Sequence, residues 1–162
     1  MFILIISDTH GSIRFLQKAM DKYHLKPDLC IHAGDILGQK QMVEKTVNCP
    51  LVVVRGNCDI DPEIPVDKVV EAGSHKIYVC HGHQYGVGAN RFRLKNEARL
   101  RGCDIAIYGH THVLDIDNSD PDVLCINPGS LLIPRDFGSP SYVAMSIDEQ
   151  NRVSCNAFRV DF

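Results

Sequence analysis

The sequence is short of the patterns that most readily assign a class. No two of its seven cysteines stand in a C-x-x-C spacing, and their number is odd. A disulfide framework is therefore not expected, and reduced thiols in a cytoplasmic protein are the simpler reading. No apolar run approaches the length of a membrane span, and the apolar opening Met1-Phe2-Ile3-Leu4-Ile5-Ile6 has no basic lead-in of the kind a signal peptide carries. Neither charge sign dominates: 17 Lys and Arg stand against 20 Asp and Glu, a net charge of −3. That balance gives no electrostatic case for a membrane surface or for nucleic acid as a stable partner. Repeats, low-complexity tracts and linkers are also missing, so the 162 residues are expected to form one domain over 1–162.

What is present reads as an α/β protein. Residues 2–6, 29–33 and 51–55 are continuous, β-branched-rich apolar runs, as expected of strands buried on both faces. Between the first two, Ile13, Leu16, Ala19 and Met20 recur at helical spacing, with Ser12 placed to cap that helix through about Tyr23. A shorter helix is expected over 39–47. This β-α-β-α-β opening predicts a parallel sheet. Residues 76–80 and 105–108 repeat the buried-strand pattern around a helix at 90–101. The closely spaced runs 113–117, 123–126, 142–147 and 153–160 favour antiparallel pairing. The expected architecture is a four-layer α/β/β/α sandwich of two packed mixed sheets flanked by helices.

Asp, His and Asn collect just after the apolar runs. Asp8-Thr9-His10-Gly11 follows the first, Gly34-Asp35 the second and Gly56-Asn57-Cys58-Asp59 the third. His81-Gly82-His83 and Gly109-His110-Thr111-His112 follow the next two. In open α/β sheets, ligands bind beyond the carboxyl ends of the strands, so five strand ends would deliver these side chains to one rim. Carboxylate oxygens and neutral imidazole nitrogens suit hard-to-borderline divalent cations. Taken singly each piece has a plainer reading as a turn, a cap or a packed histidine. Their joint placement is what points to a metal site.

The ordered set resembles the motif series of calcineurin-like metallophosphoesterases over residues 1 to about 147. Cys58 and Ile126-Asn127-Pro128-Gly129-Ser130 resemble the small, cap-less bacterial and archaeal phosphodiesterase branch. The resemblance implies two divalent metal ions per chain, manganese first, with iron, zinc, nickel or cobalt as alternatives. By the same likeness Asp8, His10 and His112 hold the first ion, Asp35 bridges, and Asn57, His81 and His110 hold the second. Asp35, Asn57 and His81 would also serve catalysis. The implied reaction is hydrolysis of a small phosphodiester substrate by direct attack of a metal-bridging hydroxide, with a phosphomonoester as the alternative.

Many relatives carry His where this chain has Cys58; a thiol is a poor acid for an alkoxide leaving group, so activated or aryl diesters are expected to turn over best. A packed, buried role for Cys58 is the plainer expectation. Asp59 and His83 are candidates to orient the His ligands, with a loop-stabilising hydrogen bond as an equal expectation for each. His24, His32 and His75 are expected in structural or surface roles. The basic stretch Arg91, Arg93, Lys95, Arg99 and Arg101 reads as a solvated helix face, with attraction of an extended anion as the sharper alternative. A non-catalytic scaffold of the same fold is the rival reading, because a retromer subunit resembles this chain in His81-Gly82-His83-Gln84, 109–112 and 127–130. A nuclease like the break-repair nucleases of the superfamily ranks behind both. Apolar residues on the late strands would either cover a homo-oligomer interface or close the core.

Overall fold

The computed structural model describes residues 1–162. Its elements follow in the order β1 (Phe2–Ile6), α1 (Arg14–Tyr23), β2 (Leu29–His32), α2 (Lys40–Val47) and β3 (Leu51–Val53). Then come β4 (Asp67–Ala72), β5 (His75–Cys80), α3 (Phe92–Leu100) and β6 (Ile105–Ile107). The chain ends with β7 (Leu114–Asp117), β8 (Leu124–Pro128), β9 (Ser141–Ile147) and β10 (Val153–Arg159).

Strand alternation explains how these pieces become layers. Side chains along a strand point to opposite faces with period two, so an uninterrupted apolar strand must be covered twice. In β1, Ile3 and Ile5 enter the core between the sheets, where Ile31, Ile77, Val79, Ile105, Ile107, Ile126, Val143 and Met145 meet them. Leu4 and Ile6 point the other way, onto Phe15, Leu16 and Ala19 of α1 and Val43 and Val47 of α2. On the second sheet, Tyr78, Cys80 and Ala106 face Leu94 and Ala98 of α3. The result is two five-stranded sheets, ordered β10-β9-β1-β2-β3 and β4-β5-β6-β8-β7, packed face to face between helices. Both are mixed: β1, β2 and β3 are parallel, as are β5, β6 and β8, while β9, β10, β4 and β7 run against their neighbours. The expected sandwich is thus the observed one. No helix is long and apolar enough to cross a membrane.

Three local expectations need correction. β4 was not expected: Asp67-Lys68-Val69-Val70-Glu71-Ala72 is an edge strand, largely open to solvent, and lacks a continuous apolar run. β8, grouped with the antiparallel late strands, pairs parallel with β6 and antiparallel only with β7, because the chain reverses through β7 before returning to the sheet. Ser12 does not stand at the position before α1, which Ile13 fills, although its Oγ accepts a long bond (3.4 Å) from the amide of Arg14, the first helical residue. Ser12 instead donates its amide to Thr9 O (2.9 Å), closing the turn that carries His10.

His75 joins the sheets at the end away from that turn. Its Nδ1 lies 2.5 Å from Asp104 Oδ2, ahead of β6, and its Nε2 lies 2.7 Å from the Asn151 carbonyl in the β9–β10 turn. Both partners accept, so the ring makes both bonds only as an imidazolium. The Asn151 carbonyl, then Asp104, accordingly raise its pKa above the ordinary value. A raised folded-state pKa contributes stability that is complete below the unfolded value and disappears as pH climbs through the folded one. The His75→Gln variant should therefore lose about 1–2 kcal/mol near pH 6 in urea denaturation, with a smaller gap near pH 9. An equal gap at both pH values would refute the imidazolium staple.

Candidate metal centre

The loops following β1, β2, β3, β5 and β6 bring all seven expected ligand side chains together. Asp8, buried completely, accepts from Ser7 Oγ (2.5 Å) and the His110 amide (3.2 Å) through Oδ2. Its Oδ1 has no hydrogen-bond donor. Around that oxygen stand His112 Nε2 at 3.1 Å, His10 Nε2 at 3.8 Å and His81 Nε2 at 3.9 Å. His112 Nδ1 donates to Ile133 O (2.7 Å) and His81 Nδ1 to Ala33 O (2.7 Å). With hydrogen on Nδ1, each of these rings when neutral presents an Nε2 lone pair inward. His112 Nε2 also sits 3.1 Å from His10 Nε2. A buried carboxylate oxygen without a hydrogen bond thus faces three imidazole nitrogens at close range. A divalent cation is the group that resolves such a clash, so the residues fit a metal.

Asp35 lies between two such groups. Its Oδ2 is 3.8 Å from His10 Nε2 and 3.5 Å from His81 Nε2, and its Oδ1 accepts from the Cys58 amide (2.9 Å). Asn57 Oδ1 is 3.1 Å from His81 Nε2 and 2.9 Å from His110 Nδ1. Three triads have ligand atoms within 4.8 Å of one another: Asp8, His10 and His112; Asp8, Asp35 and His81; and His10, Asp35 and Cys58. Burial opposes charge on Asp8 and Asp35, yet both pKa values are lowered, chiefly by His112 and His81 respectively. Burial likewise opposes charge on His81, and the adjoining Asp35 and Asp8 outweigh it, raising its pKa. His110 moves the other way, lowered by burial and by His81.

Five of the seven hold a left-handed backbone: Asp8 (φ 53°), His10 (44°), Asp35 (57°), His110 (70°) and His112 (58°). For non-glycine residues this costs on the order of 1–2 kcal/mol each, and it persists only where surroundings over-determine it. Asp59 supplies part of that constraint. Its carboxylate accepts from the amides of Asp35 (2.8 Å), Gly56 (2.8 Å) and Leu37 (2.7 Å), so of its two expected roles it fills the loop-stabilising one and orients no histidine ring. Gly34 (φ 101°) is required by space as well as angle, because a Cβ there would lie 2.6 Å from His81 Nδ1.

Several supporting residues carried no sequence signal. His32, wholly buried, accepts the Gly34 amide at Nδ1 (3.2 Å) and faces Thr9 Oγ1 from Nε2 (3.0 Å), tying the Asp8–His10 turn to the Asp35 turn. Burial lowers its pKa to about 4, so it stays neutral. Asn127 Nδ2 donates to Gly109 O (3.0 Å) and Thr111 Oγ1 (2.9 Å), and Ser130 Oγ donates to Asp8 O (2.8 Å). The family likeness of 126–130 was the only hint of these last two. His83 is exposed at the rim, its ring 5.5 Å from that of His81, and makes no hydrogen bond to a ligand. Cys58 is exposed, not packed. The basic stretch is mostly neutralised: Arg91 pairs with Asp115 (3.2 Å), Lys95 with Asp117 (2.9 Å), Arg99 with Asp120 and Arg101 with Asp67 (3.0 Å). It is neither a bare solvated face nor a free anion trap.

Comparison with known proteins agrees with this geometry. The calcineurin-like phosphoesterase superfamily domain matches residues 1–150. The probable metallophosphoesterase YsnB of Bacillus subtilis is 32% identical over 148 residues, covering 91% of this chain and 85% of its own length. The phosphodiesterase MJ0936 of Methanocaldococcus jannaschii is 31% identical over 145 residues, covering 80% of this chain and 83% of its own. Among solved structures, wild-type Vps29 of Entamoeba histolytica complexed with Zn²⁺ superposes with a TM-score of 0.77 at 23% identity, covering 98% of each chain, a likeness of fold. A match over nearly the whole sequence, on the motifs that build the acceptor cluster, means that this chain belongs to the calcineurin-like phosphoesterase superfamily.

Proposed function

We propose that the protein is a dinuclear metal-dependent phosphodiesterase. The observation that carries the reading is the orphaned, buried Asp8 Oδ1 among inward-facing imidazole nitrogens. Asp8, His10 and His112 would hold one ion, Asn57, His81 and His110 the other, and Asp35 would bridge them. When bound, the two ions would neutralise phosphate oxygens and supply the activated hydroxide for in-line attack on phosphorus. Manganese is the first expectation for their identity. Diester over monoester is supported by the named activity of MJ0936.

The chain's own residues divide the remaining work. Asp59 and His32 hold the Asp35 turn, so the bridging carboxylate is placed before any ion or substrate arrives. Asn57 and His110 stand at the exposed side of the cluster, where an incoming phosphate meets them. No acid replaces the missing histidine: burial and then Asp35 push the Cys58 thiol up to about 11, so it protonates an alkoxide poorly. Leaving groups that depart without a proton are therefore favoured, which selects aryl diesters over alkyl phosphates.

Chelator-free protein assayed with Mn²⁺ should hydrolyse bis-p-nitrophenyl phosphate faster than p-nitrophenyl phosphate, and Asp35→Asn should lose at least about a hundredfold of that rate. Faster monoester turnover would keep the chemistry but overturn the substrate class. A folded protein inert with every divalent ion would leave the scaffold reading in its place. The Asp59→Ala variant strips three amides of their acceptor and should lose about 2–3 kcal/mol of stability in urea, together with most metal affinity. Full metal affinity in a destabilised variant would show that Asp59 does not position Asp35.

A further inference from the structure

Cys58 is the one member of the three ligand triads that the superfamily resemblance does not place on a metal. It rests on the metal reading above, not on turnover. Its Sγ lies within 4.8 Å of a His10 ring nitrogen and of an Asp35 oxygen, and His10 Nε2 is itself 3.8 Å from the orphaned Asp8 Oδ1. Donors bonded to one zinc-like ion at about 2.0–2.3 Å are never more than about 4.6 Å apart. The triad is thus close enough to converge on one ion, and the Cys58 side chain is exposed rather than locked in the core. The backbone is already fixed for this, because the Cys58 amide donates to Asp35 Oδ1 (2.9 Å). Asn57 Nδ2 contacts the sulfur at 3.3 Å and so orients it from the opposite side.

We propose that Cys58 joins His10 and Asp35 as a thiolate ligand of the ion held by Asp8 and His112, and that it biases the centre toward thiophilic ions such as zinc over manganese. On binding, the S–H proton passes to solvent and the sulfur lone pair forms the metal bond, so no oxidant or reductant is needed. Oxygen and imidazole donors alone discriminate weakly between these ions, whereas one thiolate favours the softer. A coordinated thiol is deprotonated outright. The plainer alternative is that the sulfur serves only to orient the Asn57 amide.

Cobalt substitution separates the two. Chelator-stripped protein loaded with Co²⁺ should show visible d–d bands for occupancy and a near-ultraviolet thiolate-to-cobalt charge-transfer band. Cys58→Ser should keep the d–d bands and lose the charge-transfer band, although the other six cysteines remain. Its preference for Zn²⁺ over Mn²⁺ in competition should fall roughly tenfold or more. Cys58→Ala repeats the measurement should the serine variant fold poorly. Normal d–d bands without a sulfur band in the wild type would overturn the proposal and leave Cys58 as a partner of Asn57. Absence of d–d bands altogether would remove the metal reading beneath it. Cobalt bound through sulfur in a protein without turnover would uphold the ligand while sinking the phosphodiesterase.

Discussion

The structure is organised around a repulsion. Asp8 Oδ1, which receives no hydrogen bond, and the inward nitrogens of His10, His81 and His112 crowd one buried space. Left to itself such a cluster would swing apart. It is held by backbone angles that most side chains avoid, at five of the seven ligand positions. Those angles are in turn held by Asp59, His32, Asn127 and Ser130, which hydrogen-bond the turns and leave the ligand tips free. Stability is thus spent on pre-organisation, at a place where a cation recovers it.

The sandwich makes that expense bearable. Each central strand is covered on both faces, so the ends of β1, β2, β5 and β6 cannot tilt without opening a packed slab. Charge elsewhere on the surface is arranged for local pairing. The cations of α3 are met by Asp115, Asp117 and Asp120 on and after β7, so this face does not steer a polyanion toward the centre. Such a surface is compatible with the proposed small diester, which would need no extended basic track.

Much of this was legible in the sequence because two periodicities do different jobs. Uninterrupted β-branched runs marked the strands covered twice, and polar residues placed just beyond them marked the ligand loops. β4 escaped because an edge strand covered on one side shows only a broken pattern. The antiparallel pairing of β8 with β7 followed from spacing, but its parallel pairing with β6 did not, because spacing reveals that a chain reverses and not which other neighbour it then joins. His32 looked like any strand histidine; its value lies in reaching the Thr9 side chain and the Gly34 amide across two turns, which no local pattern encodes. For Asp59 the sequence left two tasks open, since a carboxylate three residues past a glycine can clamp amides as readily as rings, and the structure selects the amides.

Cys58 shows how one substitution at such a centre has coupled consequences. A histidine at this position would offer a proton to the leaving group and a nitrogen to the phosphate. A thiol held near Asp35 is too weak an acid for the first task when free, and has no proton at all when metal-bound. Gaining a soft ligand and losing a general acid are therefore the same event. Under the proposed ligation, the chemistry that remains would belong to ions that bind sulfur and to esters whose leaving groups need no help, linking metal choice and substrate choice through a single side chain at the rim of the site.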